Sequence, residues 1–270
     1  MMGHDVAGWG WAGWARIALR GSVVGALVFG GLAVKLVLRA IEAPLFGPNR
    51  PITPYLTQAV CRAALFCMGI GFAVQGRPMT QHGLVVANHA SWLDIFALNA
   101  AQRVYFVSKS EVARWPAIGW LARATGTLFI TRRATEAKRQ QIEFDARLRA
   151  GHRLLFFPEG TSTDSTYILP FKPTLFAALY GPDMGDLWVQ PATLRFAAPL
   201  DQSATFYGWW GNMSFAQHLA GTLAARRQGR VDVTLHPPLR VADYAGRKEL
   251  AAACEAVVRG QVSDLRYAFE

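Results

Sequence analysis

The chain has 270 residues, of which 52% are hydrophobic and only 17% charged, yet its formal net charge is +10. A basic, apolar chain rich in Trp and Phe suits an anionic membrane surface, whereas nucleic-acid binders carry denser Lys/Arg patches, so no nucleic acid is expected as a partner. Cys61, Cys67 and Cys254 form no C-x-x-C pair and have no histidine at ligand spacing, which argues for a reducing compartment and against a metal site.

Residues 1–15 carry three Trp and four Gly and read as an interface-seeking start. From Arg16 to Arg39 runs an apolar stretch whose fourteen-residue core, Gly21 to Val34, is uncharged. A span needs about 20 apolar residues, and Arg20 and Lys35 are expected to snorkel to opposite interfaces, so the stretch reads as a short transmembrane helix or half of a hairpin that dips into the bilayer. Four prolines between Ala43 and Pro54 predict a break. A second apolar helix follows from Tyr55 to about Ile70. Together these make a membrane-seated helical pair over residues 1–75, against the alternative of two core helices in a soluble domain.

Beyond Gly76 and Pro78 the pattern changes. Apolar or β-branched runs at Leu84–Ala87, Val104–Val107, Thr127–Ile130, Leu154–Phe157, Val189–Leu194 and Val231–Leu235 alternate with helix-length segments such as Thr135 to Ala150. Such alternation predicts an α/β domain over 76–270, with a largely parallel sheet covered by helices. The last run alternates apolar and polar residues and is expected near an edge.

Polar residues collect where the strands end. Ligands of open α/β sheets bind at the carboxyl ends of parallel strands, and His89, Lys109, Arg132 and Glu159 each follow one of the first four runs. His89 and Asp94 are five apart, roughly 140° around an ideal helix. They can meet only if His89 lies in the strand-to-helix turn and Asp94 in the first helical turn, with Ser91 or Asn88 as N-cap. The carboxylate then takes the Nδ1 proton and leaves Nε2 as a base. After Pro158, Glu159 and Gly160 begin a turn of small hydroxyl residues whose backbone N–H groups can face an anion. Arg132 offers a fork of donors for a phosphate or carboxylate.

These segments resemble the 1-acylglycerol-3-phosphate acyltransferase family of glycerolipid enzymes. Asn88-His89-Ala90-Ser91-Trp92-Leu93-Asp94 is similar to its NHxSxxD block, Gly126 to Arg132 to its G-x-x-F-I-x-R block, and Phe157-Pro158-Glu159-Gly160-Thr161 to FPEGT. Val189-Gln190-Pro191 resembles the weaker V-x-P block, and Val107 to Glu111, with Lys109, the V-x-K-x-E segment. The resemblance spans about residues 80–240. It implies a mixed, mostly parallel sheet of about seven strands and transfer of an acyl group from an acyl carrier protein or coenzyme A thioester to a lipid hydroxyl. His89 and Asp94 are then catalytic, Lys109, Arg132, Glu159, Gly160 and Thr161 bind substrate, and no metal or other cofactor is needed. It also implies an inner-membrane enzyme with its site on the cytoplasmic side.

One departure bears on the acceptor. Lysophosphatidate-using members carry Arg after FPEGT, whereas this chain has Ser162, Thr163 and Asp164. Together with Leu169-Pro170-Phe171-Lys172 and Phe206-Tyr207-Gly208-Trp209-Trp210-Gly211, this resembles the lyso-ornithine lipid acyltransferase branch. Phosphatidic acid synthesis is the nearest alternative. A lipid esterase or thioesterase lacks its G-x-S-x-G elbow here, and a non-enzymatic lipid-binding protein leaves the four post-strand polar groups unexplained.

Overall fold

A computed structural model describes residues 9–131, 134–181 and 186–263. Helix α1 (Trp11–Phe46) is long and apolar enough to cross a membrane, and most of it is exposed, with Leu19, Val23, Phe29, Val37 and Leu45 on the surface. It runs through Pro44 rather than breaking before it. Proline removes one N–H donor, and so close to the helix end that loss is small. The break falls at Gly47, in the left-handed region at φ 59°.

Helix α2 (Thr53–Met68) folds back against α1. Glu42 of α1 joins the two: its carboxylate accepts the Ile52 and Thr53 backbone N–H groups and the Thr53 hydroxyl, capping the start of α2. Gly31 lets the helices approach closely, since a Cβ there would stand 2.7 Å from Val60 Cγ2. Neither cation expected to snorkel does so. Arg20, with Arg16, donates to Leu223, Ala224 and Ala225 carbonyls at the end of helix α6 (Phe215–Ala224), and Lys35 is buried against Thr57. The last carbonyls of α6 have no partners within their own helix, and the arginines supply them.

Among the described residues, eight strands form one mixed sheet in the order β1 (Gly71–Gly76), β7 (Arg230–Leu235), β6 (Trp188–Ala197), β2 (Gly83–Ala87), β5 (Leu154–Phe156), β3 (Tyr105–Lys109), β4 (Leu128–Ile130), with β8 (Leu239–Arg240) beside β6. β6, β2, β5, β3 and β4 are mutually parallel; β7 turns antiparallel to β6, and β1 pairs parallel with β7. All six sequence-predicted runs are strands, and β1 and β8 are additional. β1 occupies the edge, leaving β7 one strand inside it.

The central run Leu84-Val85-Val86-Ala87 is apolar throughout because both of its faces are covered. Val85 and Ala87 pack with Leu65, Met68, Leu93 and Leu98 of α2 and helix α3 (Leu93–Ala101). Leu84 and Val86 pack with Phe144 and Leu148 of helix α5 (Ala134–Arg149) and with Leu250, Cys254 and Val258 of helix α7 (Arg247–Ser263). Helix α4 (Ile118–Thr125) links β3 to β4. Because β2, β5, β3 and β4 point the same way, the loops that follow them share one rim.

Candidate active site

His89 lies in the turn between β2 and α3, and Asp94 in the first turn of α3. The His89 Nδ1 to Asp94 Oδ2 distance is 2.7 Å. The same oxygen accepts the Ala90 and Ser91 backbone N–H groups at 2.8 and 3.1 Å. Asp94, not Ser91 or Asn88, is thus the side chain that caps this turn. The Ser91 hydroxyl is buried with no partner among the described residues, while Asn88 pairs with both backbone groups of Leu194 in β6, at 3.0 and 2.8 Å. Asn88 thereby pins the end of β2 to its neighbour.

Asp94 is fully buried and the His89 side chain 21% exposed. With Nδ1 donating to the carboxylate, Nε2 carries the lone pair and faces no hydrogen-bond partner among the described residues. The ring lies flat on Phe157, centroids 4.0 Å apart and planes within 10°. Phe157 in turn stacks with Phe106 of β3. The imidazole plane is therefore fixed by a carboxylate at its edge and an aromatic face beneath.

Glu159 is buried, and each of its oxygens receives a backbone N–H: His89 on Oε1 at 2.6 Å and Leu169 on Oε2 at 2.7 Å. Burial pushes its carboxyl up to about 7 against the opposing pull of those two N–H groups. It is a brace between the loops after β2 and β5. Thr163 adds to it, its N–H reaching the His89 carbonyl at 2.9 Å. Gly160 has φ +73°, where a side chain is strained, and its N–H closes the turn onto the Phe157 carbonyl. Thr161 follows it at the surface.

Lys109 ends β3 on the same rim, exposed. It stands two strands from β2, which at the usual strand spacing is about 10 Å. β4 brings the chain to this rim at Ile130, but Arg132 lies outside the described residues. His89, Asp94, Glu159 and Gly160 thus form one connected cluster; Thr161 follows it in the chain, and Lys109 ends a strand two removed on the same rim.

Trp209, Ser162 and Trp115 complete one wall of the site. The Trp209 backbone N–H donates to the Ala90 carbonyl at 2.8 Å, and the Ser162 hydroxyl donates to the Trp209 carbonyl at 2.5 Å. Trp115 meets the Trp209 ring edge-on at 5.9 Å. Trp115 also lines a cleft of about 540 Å³ between α1 and the segment after β3, with Phe29, Pro116 and Trp120. In the sequence, Ser162 and the Phe206–Gly211 run were marked only as parts of the resemblance to the lyso-ornithine lipid branch.

A parallel-sheet rim bearing a histidine hydrogen-bonded to a buried carboxylate, matched over residues 72–194 by the family model described as Acyltransferase, defines an acyltransferase. The sequence is 55% identical to the lyso-ornithine lipid O-acyltransferase of Rhodobacter capsulatus over 249 residues, 92% of this chain and 90% of that protein. A 1-acyl-sn-glycerol-3-phosphate acyltransferase of Neisseria gonorrhoeae is 40% identical over 126 residues, 44% of this chain and 48% of that one. The crystal structure of the 1-acyl-sn-glycerophosphate acyltransferase PlsC from Thermotoga maritima superposes with a TM-score of 0.59 at 20% identity, covering 87% of this chain and 95% of that one, a likeness of fold. The chain belongs to the 1-acylglycerol-3-phosphate acyltransferase family of lysolipid O-acyltransferases and is most similar to its lyso-ornithine lipid branch.

Proposed function

We propose that the protein esterifies the hydroxyl of lyso-ornithine lipid with a fatty acyl group taken from an acyl carrier protein or coenzyme A thioester, at the cytoplasmic face of the inner membrane. The observation that carries the chemistry is the 2.7 Å His89–Asp94 contact at the carboxyl rim of the sheet. Nε2 accepts the acceptor hydroxyl proton as that oxygen attacks the thioester carbonyl. The new C–O bond forms, the C–S bond breaks, and the imidazolium returns the proton to the leaving thiolate. Base catalysis of this kind is worth about 10²–10⁴-fold. Asp94 stabilises the imidazolium in between, and donors for the oxyanion come from Lys109 and the backbone after Gly160.

Arg132 binds the acidic group of the acceptor. Asp164 supports an acceptor that also carries an ammonium: one of its oxygens is taken by the N–H and hydroxyl of Thr166, and the other has no partner among the described residues. A carboxylate two residues beyond Ser162 repels a doubly charged phosphate and attracts the ornithine amine. The apolar cleft beside Trp115 and Trp120 receives the acyl chain, and the exposed apolar face of α1 enters the bilayer.

The test is competition. Purified protein in mixed micelles receives a labelled acyl thioester, either carrier-protein or coenzyme A, with equal amounts of lyso-ornithine lipid and lysophosphatidate. Labelled ornithine lipid as the dominant product is expected. Dominant phosphatidic acid would reassign the acceptor, and free fatty acid alone would make the protein a hydrolase.

A further inference from the structure

The opposite rim of the sheet holds a cluster of cations that acyl transfer does not use. Lys35 of α1, Arg50 of the α1–α2 turn, Arg103 before β3 and Arg147 at the end of α5 converge where β3, β4 and β5 begin. Arg50 and Arg147 share the Tyr105 ring, their Cζ atoms 5.7 and 4.7 Å from its centroid, and Arg103 stacks 4.0 Å over Tyr55. Arg147 donates to His152 Nδ1 and the Gly126 carbonyl, so its donors are largely met. Those of the other cations are not. Arg50 Nε is buried with no acceptor among the described residues, and Lys35 Nζ has Thr57 Oγ1 as its hydrogen-bond partner. Of the carboxylates near this cluster, Glu143 acts on Arg147, and Glu42 is already consumed by the start of α2 and by Arg39 at 3.8 Å.

Buried or half-buried cations without a counter-charge are costly. Here they surround a recess lined by Lys35, Arg50, Thr53, Thr57, Asn99 and Arg103, with room of about 10 Å³, which holds one water-sized atom. An ammonium, two guanidinium forks and neighbouring hydroxyls are the donor set of a tetrahedral oxyanion. We propose that this recess binds a phosphate group, one oxygen entering it and the rest held at its mouth by Arg50 and Arg103, at a site separate from the acyl-transfer centre. The phosphate belongs either to the head group of an anionic phospholipid or to free phosphate. Exposed Ile52 and Tyr55 beside the mouth fit the lipid source.

Two arms test the site and separate the sources, each on the full chain, Arg103→Gln, Arg50→Gln/Arg103→Gln, and the surface control Lys138→Gln, which removes a charge on exposed α5. In the first, the thermal midpoint is followed with inorganic phosphate against chloride at matched ionic strength; saturation at about 100 times Kd raises the wild type by about 5–10 °C. In the second, partition onto phosphatidylglycerol vesicles is compared with phosphatidylcholine; each lost cation costs about fivefold on the anionic vesicles. Phosphate protection lost in the Arg variants and kept in Lys138→Gln supports the site with a free-phosphate guest. A vesicle defect confined to the Arg variants supports it with a lipid guest. Overturning it takes wild-type-like behaviour of the double variant in both arms, or a Lys138→Gln defect as large as that of Arg103→Gln.

Discussion

Asp94→Asn separates what the carboxylate does by shape from what it does by charge. Asp94 Oδ2 receives three N–H groups, from His89, Ala90 and Ser91, whereas Oδ1 is buried without a partner among the described residues. An asparagine amide settles with its oxygen among those three donors, because an NH₂ there would face two backbone N–H groups. The Nδ1–H tautomer is therefore kept and only the ion pair with the transition-state imidazolium is lost. Two unit charges about 4 Å apart at an effective dielectric near 20 attract by about 4 kcal/mol, which is about 10³-fold in kcat. The expected result in a labelled-thioester assay is a kcat about a thousandfold lower with both KM values within twofold. A kcat within tenfold of wild type, or a loss confined to KM, would refute the assignment. Asp94→Ala also strands the Ala90 and Ser91 N–H groups and should lower the thermal midpoint where Asp94→Asn changes it less.

Glu159→Gln keeps one acceptor for the two N–H groups of His89 and Leu169, so it should destabilise by about 1–3 kcal/mol and lower kcat, both read from chemical denaturation and turnover. Because burial holds this carboxyl at about 7, above its ordinary 4.5, the native protein keeps a proton that the unfolded chain has released, and stability falls as pH rises across that window. That slope should be missing from the pH series of Glu159→Gln. Gly160→Ala meets only the flexible Lys172 ammonium at 2.7 Å, so its cost is the positive φ, about 1–2 kcal/mol by denaturation. Ser162→Arg places a cation beside the proposed head-group site and should raise the kcat/KM ratio for lysophosphatidate over lyso-ornithine lipid at least tenfold; an unchanged ratio would remove this position from acceptor choice.

The His89–Asp94 contact was legible because its signal is local: an apolar run, a histidine in the turn and an acid in the next helical turn leave one workable geometry. The parallel core followed from the alternation of strands and helices. β1 was not legible, since Gly71 to Gly76 is short and exposed, and its partner β7 lies some 160 residues on. Composition alone sent Arg20 and Lys35 toward the bilayer, whereas Arg20 is retained by α6 carbonyls 203 and 205 residues on and Lys35 by an α2 hydroxyl 22 residues on. Glu159 was marked as important by position, but its task as a brace depends on which backbone N–H meets which oxygen, 70 residues away. Asn88 is the converse: it resembled a cap, and its side chain matches a strand edge in β6 instead.

The central claim is that the imidazole at position 89 moves the proton during transfer of the acyl group to a lipid hydroxyl. Esterification of lyso-ornithine lipid by His89→Ala, measured alongside its circular dichroism and thermal midpoint, tests this most directly. A folded variant whose turnover is down by about 10²–10⁴-fold is predicted. A folded variant that esterifies the lipid within tenfold of the wild-type rate would contradict it.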